Sequence, residues 1–117
     1  MLETTTARVQ ADRRRAIERL CQRIGGVVVL KGHETLVSDG ERCYRNRTGN
    51  PGMATGGSGD VLAGLLGALL ARGLPPFDAA CLAVNVHGKA GDLVKARVGE
   101  NGLCASDLPL AIAEVLP

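Results

Sequence analysis

Apolar residues recur at helical spacing from Ala7 to Ile24, through Val9, Ala16, Ile17, Leu20 and Ile24. That period predicts an amphipathic helix, with Thr4-Thr5-Thr6 offering caps and Gly25-Gly26 ending it. Arg13-Arg14-Arg15 fall on its polar side and read as a solvated face rather than a phosphate patch. The pattern then changes to an unbroken β-branched run, Val27-Val28-Val29-Leu30, which predicts a strand buried on both faces of a parallel sheet. Thr35-Leu36-Val37-Ser38 and Arg42-Cys43-Tyr44-Arg45 flank Asp39-Gly40, a pair suited to a tight primed turn, and predict a hairpin.

Three helices are expected in the second half. The first opens at Gly59 or Asp60 and ends near Arg72-Gly73. Gly64 and Gly67 weaken its propensity by about 1 kcal/mol each against alanine, which suggests close packing against another backbone. Pro75-Pro76 breaks the chain, and Phe77 to Val94 follows with Ala80, Leu82, Ala83, Val86, Ala90 and Leu93 inward. Within it Asn85 and His87 read as polar members of a helix face, and Asp92 and Lys95 as an exposed pair. Ser106 is placed as the cap of a last helix through Leu116, with Pro109 in its first turn.

Composition narrows the class. With 117 residues, 45% hydrophobic and 22% charged, the chain is globular rather than disordered. Tyr44 and Phe77 are the only aromatics, too few for the stacking surface of a single-strand nucleic-acid binder. No apolar run spans a bilayer and no signal-peptide pattern opens the chain, so no membrane partner and a cytoplasmic location are expected. Cys21, Cys43, Cys81 and Cys104 lack metal-like spacing and read as reduced thiols; no residue is assigned as a metal ligand.

The chemistry concentrates in Asn50-Pro51-Gly52-Met53-Ala54-Thr55-Gly56-Gly57-Ser58-Gly59-Asp60, which runs directly into the apolar helix. Glycines let backbone N–H groups converge, and the first N–H groups of a helix lack partners at its positive end, so the junction predicts an anion site. The expected donors are Gly57, Ser58 and Gly59. A carboxylate beside a phosphate is repulsive unless it handles a proton or a metal, so Asp60 reads as the base in phosphoryl transfer to a hydroxyl. The competing structural reading makes Asp60 a favourable charge on the helix dipole. No Gly-Lys-Ser/Thr follows, which excludes a Walker loop, and Arg45-Asn46-Arg47-Thr48 is no Rossmann strand.

This text resembles the C-terminal signature of the ribokinase-like superfamily, in which a Gly-x-Gly-Asp turn forms the anion hole and its Asp is the base. Within that superfamily it is most similar to the ADP/ATP-dependent (S)-NAD(P)H-hydrate dehydratases. The similarity rests on Leu30-Lys31-Gly32, on Asn50 through Leu62, and on Asn101-Gly102-Leu103-Cys104-Ala105-Ser106-Asp107-Leu108. It implies an α/β fold: the C-terminal fragment of a three-layer α/β/α domain with a mainly parallel sheet. Residues 1–117 would then form a partial dehydratase domain, with the N-terminal portion and its His-Pro-Gly-Glu substrate segment missing. One buried strand and a hairpin are too few for an independent sheet, which points the same way.

The resemblance further implies a nucleotide site at Lys31, Gly32, His33, Glu34, Thr35 and Gly59, and Asp60 as both base and substrate contact. The implied reaction is metabolite repair, dehydration of (6S)-NADHX or NADPHX to NADH or NADPH. ADP is the expected co-substrate with ATP as the alternative, Mg²⁺ balances the phosphate charge, and assembly into homo-oligomers is implied. Two rivals stand beside it: a small-molecule kinase of the same superfamily, and a non-catalytic nucleotide-binding or assembly module, inert as a fragment.

Overall fold

A computed structural model describes residues 2–117; the side chains of residues 2–7 and of Val9 lie outside the description. The elements are α1 (Leu2–Ile24), β1 (Val28–Leu30), β2 (Leu36–Ser38), β3 (Cys43–Arg45), a 3₁₀ turn at Pro51–Met53, α2 (Ser58–Ala71), α3 (Pro76–Val98), a second 3₁₀ turn at Ala105–Asp107, and α4 (Leu108–Val115). The first helix starts earlier than its apolar period suggests, so Thr4 to Thr6 lie within it instead of capping it. Its inward face is narrower too. Ile17 and Cys21 are buried, whereas Ala16 and Ile24 are exposed.

The sheet has the order β1-β2-β3 and is antiparallel throughout. This differs from the mainly parallel sheet expected. An unbroken apolar run reports burial, not strand direction. The link from β1 to β2, Lys31–Thr35, is far shorter than the dozen or more residues that a parallel crossover needs. Two-sided burial belongs to β2, where Leu36, Val37 and Ser38 are all buried, while β1 is half-buried and carries no second strand partner among the described residues.

Alternation sorts the side chains of the sheet. Val29, Val37 and Tyr44 form one cross-strand row and pack on α2 and α3 through Leu62, Leu69, Ala80 and Ala83. Ser38, on the other face, lies under α1, where the Cys21 thiol reaches its carbonyl at 3.4 Å. The hairpin forms as expected. Gly40 takes a positive φ of 96°, while the Asp39 carboxylate accepts the N–H groups of Glu41 (2.9 Å) and Arg42 (2.6 Å). Those bonds hold Asp39 well below the usual carboxylate range, at about 2.

A second apolar cluster joins α3 to α4 through Val86, Ala90, Val94, Leu103, Leu108 and Ile112. Ahead of α4, the Asp107 carboxylate accepts the Cys104 N–H at 3.0 Å, so Asp107 and not Ser106 secures this entry. The expected close contact at Gly64 and Gly67 is not made. A Cβ at either would meet nothing within 4 Å. Close approach occurs instead on α3, where Gly88 takes the Thr48 side chain and Gly91 takes Met53.

Candidate functional site

A cavity of about 680 Å³ opens between the Lys31–Thr35 link, the loop from Asn46 to Gly59, and the face of α3 bearing Val84, His87 and Gly88. It brings together two segments that are separate in sequence, each predicted to hold a ligand. Lys31, Gly32, His33, Glu34 and Thr35 line one side; Ser58 and Gly59 line the other. They meet closely: the Lys31 Nζ lies 2.8 Å from the position a Cβ would take on Gly59, so a side chain there would push the tip of the lysine aside. Gly57 and Asp60 are not part of this lining.

The loop-to-helix junction has the form that an anion site needs, with one change in its donors. Gly57 occupies the left-handed region at φ 91° as N-cap of α2, and no side chain caps the helix. Its open N–H groups therefore remain for another acceptor. Of the three donors expected, the Ser58 N–H is turned back to the Thr55 carbonyl at 3.3 Å, and Ser58 itself is buried. Asp60 sits in the first turn of α2 with its side chain exposed.

The Lys31–Thr35 link is held by its own contacts. Glu34 has a positive φ of 55°, a conformation that costs a non-glycine residue about 1 kcal/mol and marks a turn the surroundings enforce. Its carboxylate stands 3.6 Å from Arg45. The Thr35 hydroxyl donates to the Gly32 carbonyl at 3.2 Å. The His33 side chain is 89% exposed and stands 4.0 Å from Glu34.

Several residues that organise the site carried no clear signal in the sequence. Asn46 is buried and donates to the Val84 carbonyl at 3.1 Å, and the Thr48 hydroxyl donates to the Asn85 carbonyl at 3.0 Å. Asp92 does not pair with Lys95. Its carboxylate accepts the Gly49 N–H at 3.0 Å and the Asn50 amide at 2.9 Å, while Lys95 pairs with Glu100 at 3.0 Å. Asn50 also accepts the Gly52 N–H at 3.0 Å, fixing the turn that leads to the glycines. Gly88 and Gly91 clear one face of α3 for the loop, a role that their place within a helix does not announce.

His87 sits beneath the glycine loop at the start of α2, not on a plain helix face. Its Nε2 is 3.1 Å from the Ser58 carbonyl and 3.3 Å from the Ser58 hydroxyl. A carbonyl only accepts, so Nε2 carries the proton in this contact. Burial disfavours the charged ring and lowers its proton affinity; the bond to Ser58 opposes this, and the nearby Lys31 charge adds to it. Arg14 and Arg15 pair with Glu18 (3.5 Å) and Asp12 (2.7 Å) on the exposed face, as the arginine run suggested. Arg13 departs from that face, its guanidinium reaching the carbonyls of Leu30 and Glu34 at 3.3 and 3.4 Å and that of His33 closer still.

Comparison with known proteins gives the chain its relatives. The family model described as NAD(P)H-hydrate dehydratase matches residues 1–114. Over 110 residues the chain is 48% identical to the ADP-dependent (S)-NAD(P)H-hydrate dehydratase of Neisseria meningitidis, covering 92% of this chain and 37% of that protein. It is 53% identical over 108 residues to the bifunctional NAD(P)H-hydrate repair enzyme Nnr of Vibrio cholerae, covering 92% of this chain and 22% of the other. The ADP/ATP-dependent NAD(P)H-hydrate dehydratase from Bacillus subtilis, co-crystallised with ATP and Mg²⁺ and soaked with CoA, superposes with a TM-score of 0.84 at 30% identity, over 92% of this chain and 40% of that one. The chain thus spans well under half the length of each of these relatives.

Proposed function

The chain belongs to the NAD(P)H-hydrate dehydratase family, and we propose that it forms the nucleotide-holding and proton-abstracting part of such an enzyme. The observation that carries this reading is the cavity shared by Lys31–Thr35 and Ser58–Gly59, one cationic and glycine-lined space of about 680 Å³. That is within the range of small-molecule sites. An adenine nucleotide lies there, ADP in preference to ATP, with its phosphates between the Lys31 ammonium and the start of α2. The N–H groups of Gly57 and Gly59 and the helix dipole offset the phosphoryl charge as it grows.

Asp60 takes the proton from the ring hydroxyl of (6S)-NADHX or NADPHX. That oxygen bonds to the terminal phosphorus as the nucleotide's phosphoanhydride bond breaks. Phosphate then departs with the C–O electron pair, a proton leaves the adjacent ring carbon, and the dihydronicotinamide double bond is restored. Asp60 lies outside the cavity lining, on the exposed first turn of α2. On this reading the hydrate therefore approaches from the α2 side, opposite the nucleotide. Among the described residues no group of three His, Cys, Asp or Glu side chains is placed to hold a metal ion. Mg²⁺ would be carried on the nucleotide phosphates, its usual mode in phosphoryl-transfer sites.

The remaining length of the relatives supplies the hydrate-binding segment and further strands. Added at the free edge of β1, those strands would complete a mainly parallel, three-layer sheet of the ribokinase-like kind. Assembly into homo-oligomers and a cytoplasmic setting belong to the same reading; no helix among the described residues is long and apolar enough to cross a membrane. Calorimetric titration of the complete protein with ADP tests the site. Lys31→Met removes one charge-assisted contact and is expected to weaken ADP binding by ~10- to 100-fold. Affinity equal to wild type would place the nucleotide elsewhere.

A further inference from the structure

We propose that Arg13 is a positioning residue for the nucleotide, acting from behind the Lys31–Thr35 link. The proposal rests on the nucleotide-site reading above and adds to it a residue on a different element. One guanidinium donates to the carbonyls of Leu30, His33 and Glu34. A Cβ on Gly32 would lie 3.3 Å from Arg13 Nη2, so the link also rests against this side chain.

The geometry has a consequence for the opposite side of the link. All peptide bonds here are trans, and in a trans peptide the C=O and the following N–H point in opposite directions. Arg13 draws the His33 and Glu34 carbonyls to one side, which turns the Glu34 N–H to the other, while the Thr35 N–H faces back into the turn toward Gly32. Extended backbone would throw successive carbonyls to alternate sides. The positive φ of Glu34, 55°, is what lets both face Arg13. A backbone N–H fixed in such a turn is a donor suited to an anionic or carbonyl-like ligand atom. Lys31–Thr35 line the cavity, so a link held in this shape by Arg13 presents the Glu34 N–H to the nucleotide there.

Arginine suits the task because its planar fork offers several donors in fixed directions; a lysine ammonium cannot meet three separated carbonyls with the same geometry. The test uses the complete protein that carries these residues, with Arg13→Gln and Arg13→Lys. Kd for ADP, KM for ADP, kcat at saturating ADP and Tm without nucleotide are read for each. Arg13→Gln is expected to raise Kd and KM for ADP by ~10-fold. Its kcat should stay within about twofold of wild type, because Arg13 acts on binding and not on the reacting atoms. Arg13→Lys should fall between the two.

A lower Tm with unchanged Kd would show a merely structural arginine and overturn the proposal. Should Arg13→Gln fail to fold, amide exchange in the wild type decides: ADP must slow the Glu34 N–H, and unchanged exchange overturns the proposal. A wild type that binds no ADP overturns the site reading itself, and the role of Arg13 with it.

Discussion

His87 ties the glycine loop at the start of α2 to α3. Its ring bridges α3 and the first residue of α2, and burial together with the Lys31 charge favours the neutral form. The sign of the pH effect follows. The folded proton affinity lies below the ordinary value of 6.5, so between the two values the unfolded chain binds more protons. The stability drawn from neutral His87 is therefore complete above 6.5 and declines as pH falls from there through the lowered folded value. His87→Gln keeps an N–H for the Ser58 carbonyl but cannot titrate. Urea unfolding as a function of pH is expected to show a flatter profile for this variant below 6.5 than for wild type. Parallel profiles would remove His87 from the acid response.

At the scale of elements, α3 acts as the template for the site. Thr48 and Met53 seat against its glycines, Asn46 and Thr48 bond to its carbonyls, and Asp92 holds the Gly49–Asn50 turn. Two glycine substitutions separate this role from helix propensity. Gly88→Ala places a methyl on the Thr48 side chain and is expected to cost about 1–3 kcal/mol through overpacking. Gly64→Ala meets nothing and is expected to add about 1 kcal/mol to the stability of the 117-residue chain through helix propensity. Denaturant midpoints measure both; equal shifts in the same direction would refute the template role.

The same contrast shows what the sequence could convey. Elements with local causes were legible: the Asp39–Arg42 turn, the glycine loop entering α2, and the break at Pro75-Pro76. The Gly64 and Gly88 roles were not, because a glycine in a helix reads identically whether its missing side chain faces solvent or another chain segment. Arg13 and Asp92 were misplaced for a related reason. Each lies on a helix position that period and charge assign to solvent, and only the path of a distant loop gives it a partner. The antiparallel sense of the sheet depended on a short link whose length was visible, but the apolar run at Val27–Leu30 outweighed it.

For the whole molecule, the described residues measure 43 × 38 × 22 Å, with a radius of gyration of 14.7 Å. A compact chain of this length is expected near about 13.4 Å, so the fold is flattened, with the edge of β1 and the Gly64–Gly67 face of α2 open. Such a shape suits a division of labour in which this chain brings the nucleotide and the base, and the rest of the relatives' length brings the hydrate. In that division the base is Asp60, which is exposed beside the cavity and outside its lining. Asp60→Asn in the complete protein tests it most directly, because it keeps shape and hydrogen bonding while removing the proton acceptor. ADP affinity should hold within about twofold while kcat for dehydration of (6S)-NADHX falls by about 10²–10⁴-fold. A kcat within a few fold of wild type would contradict the account.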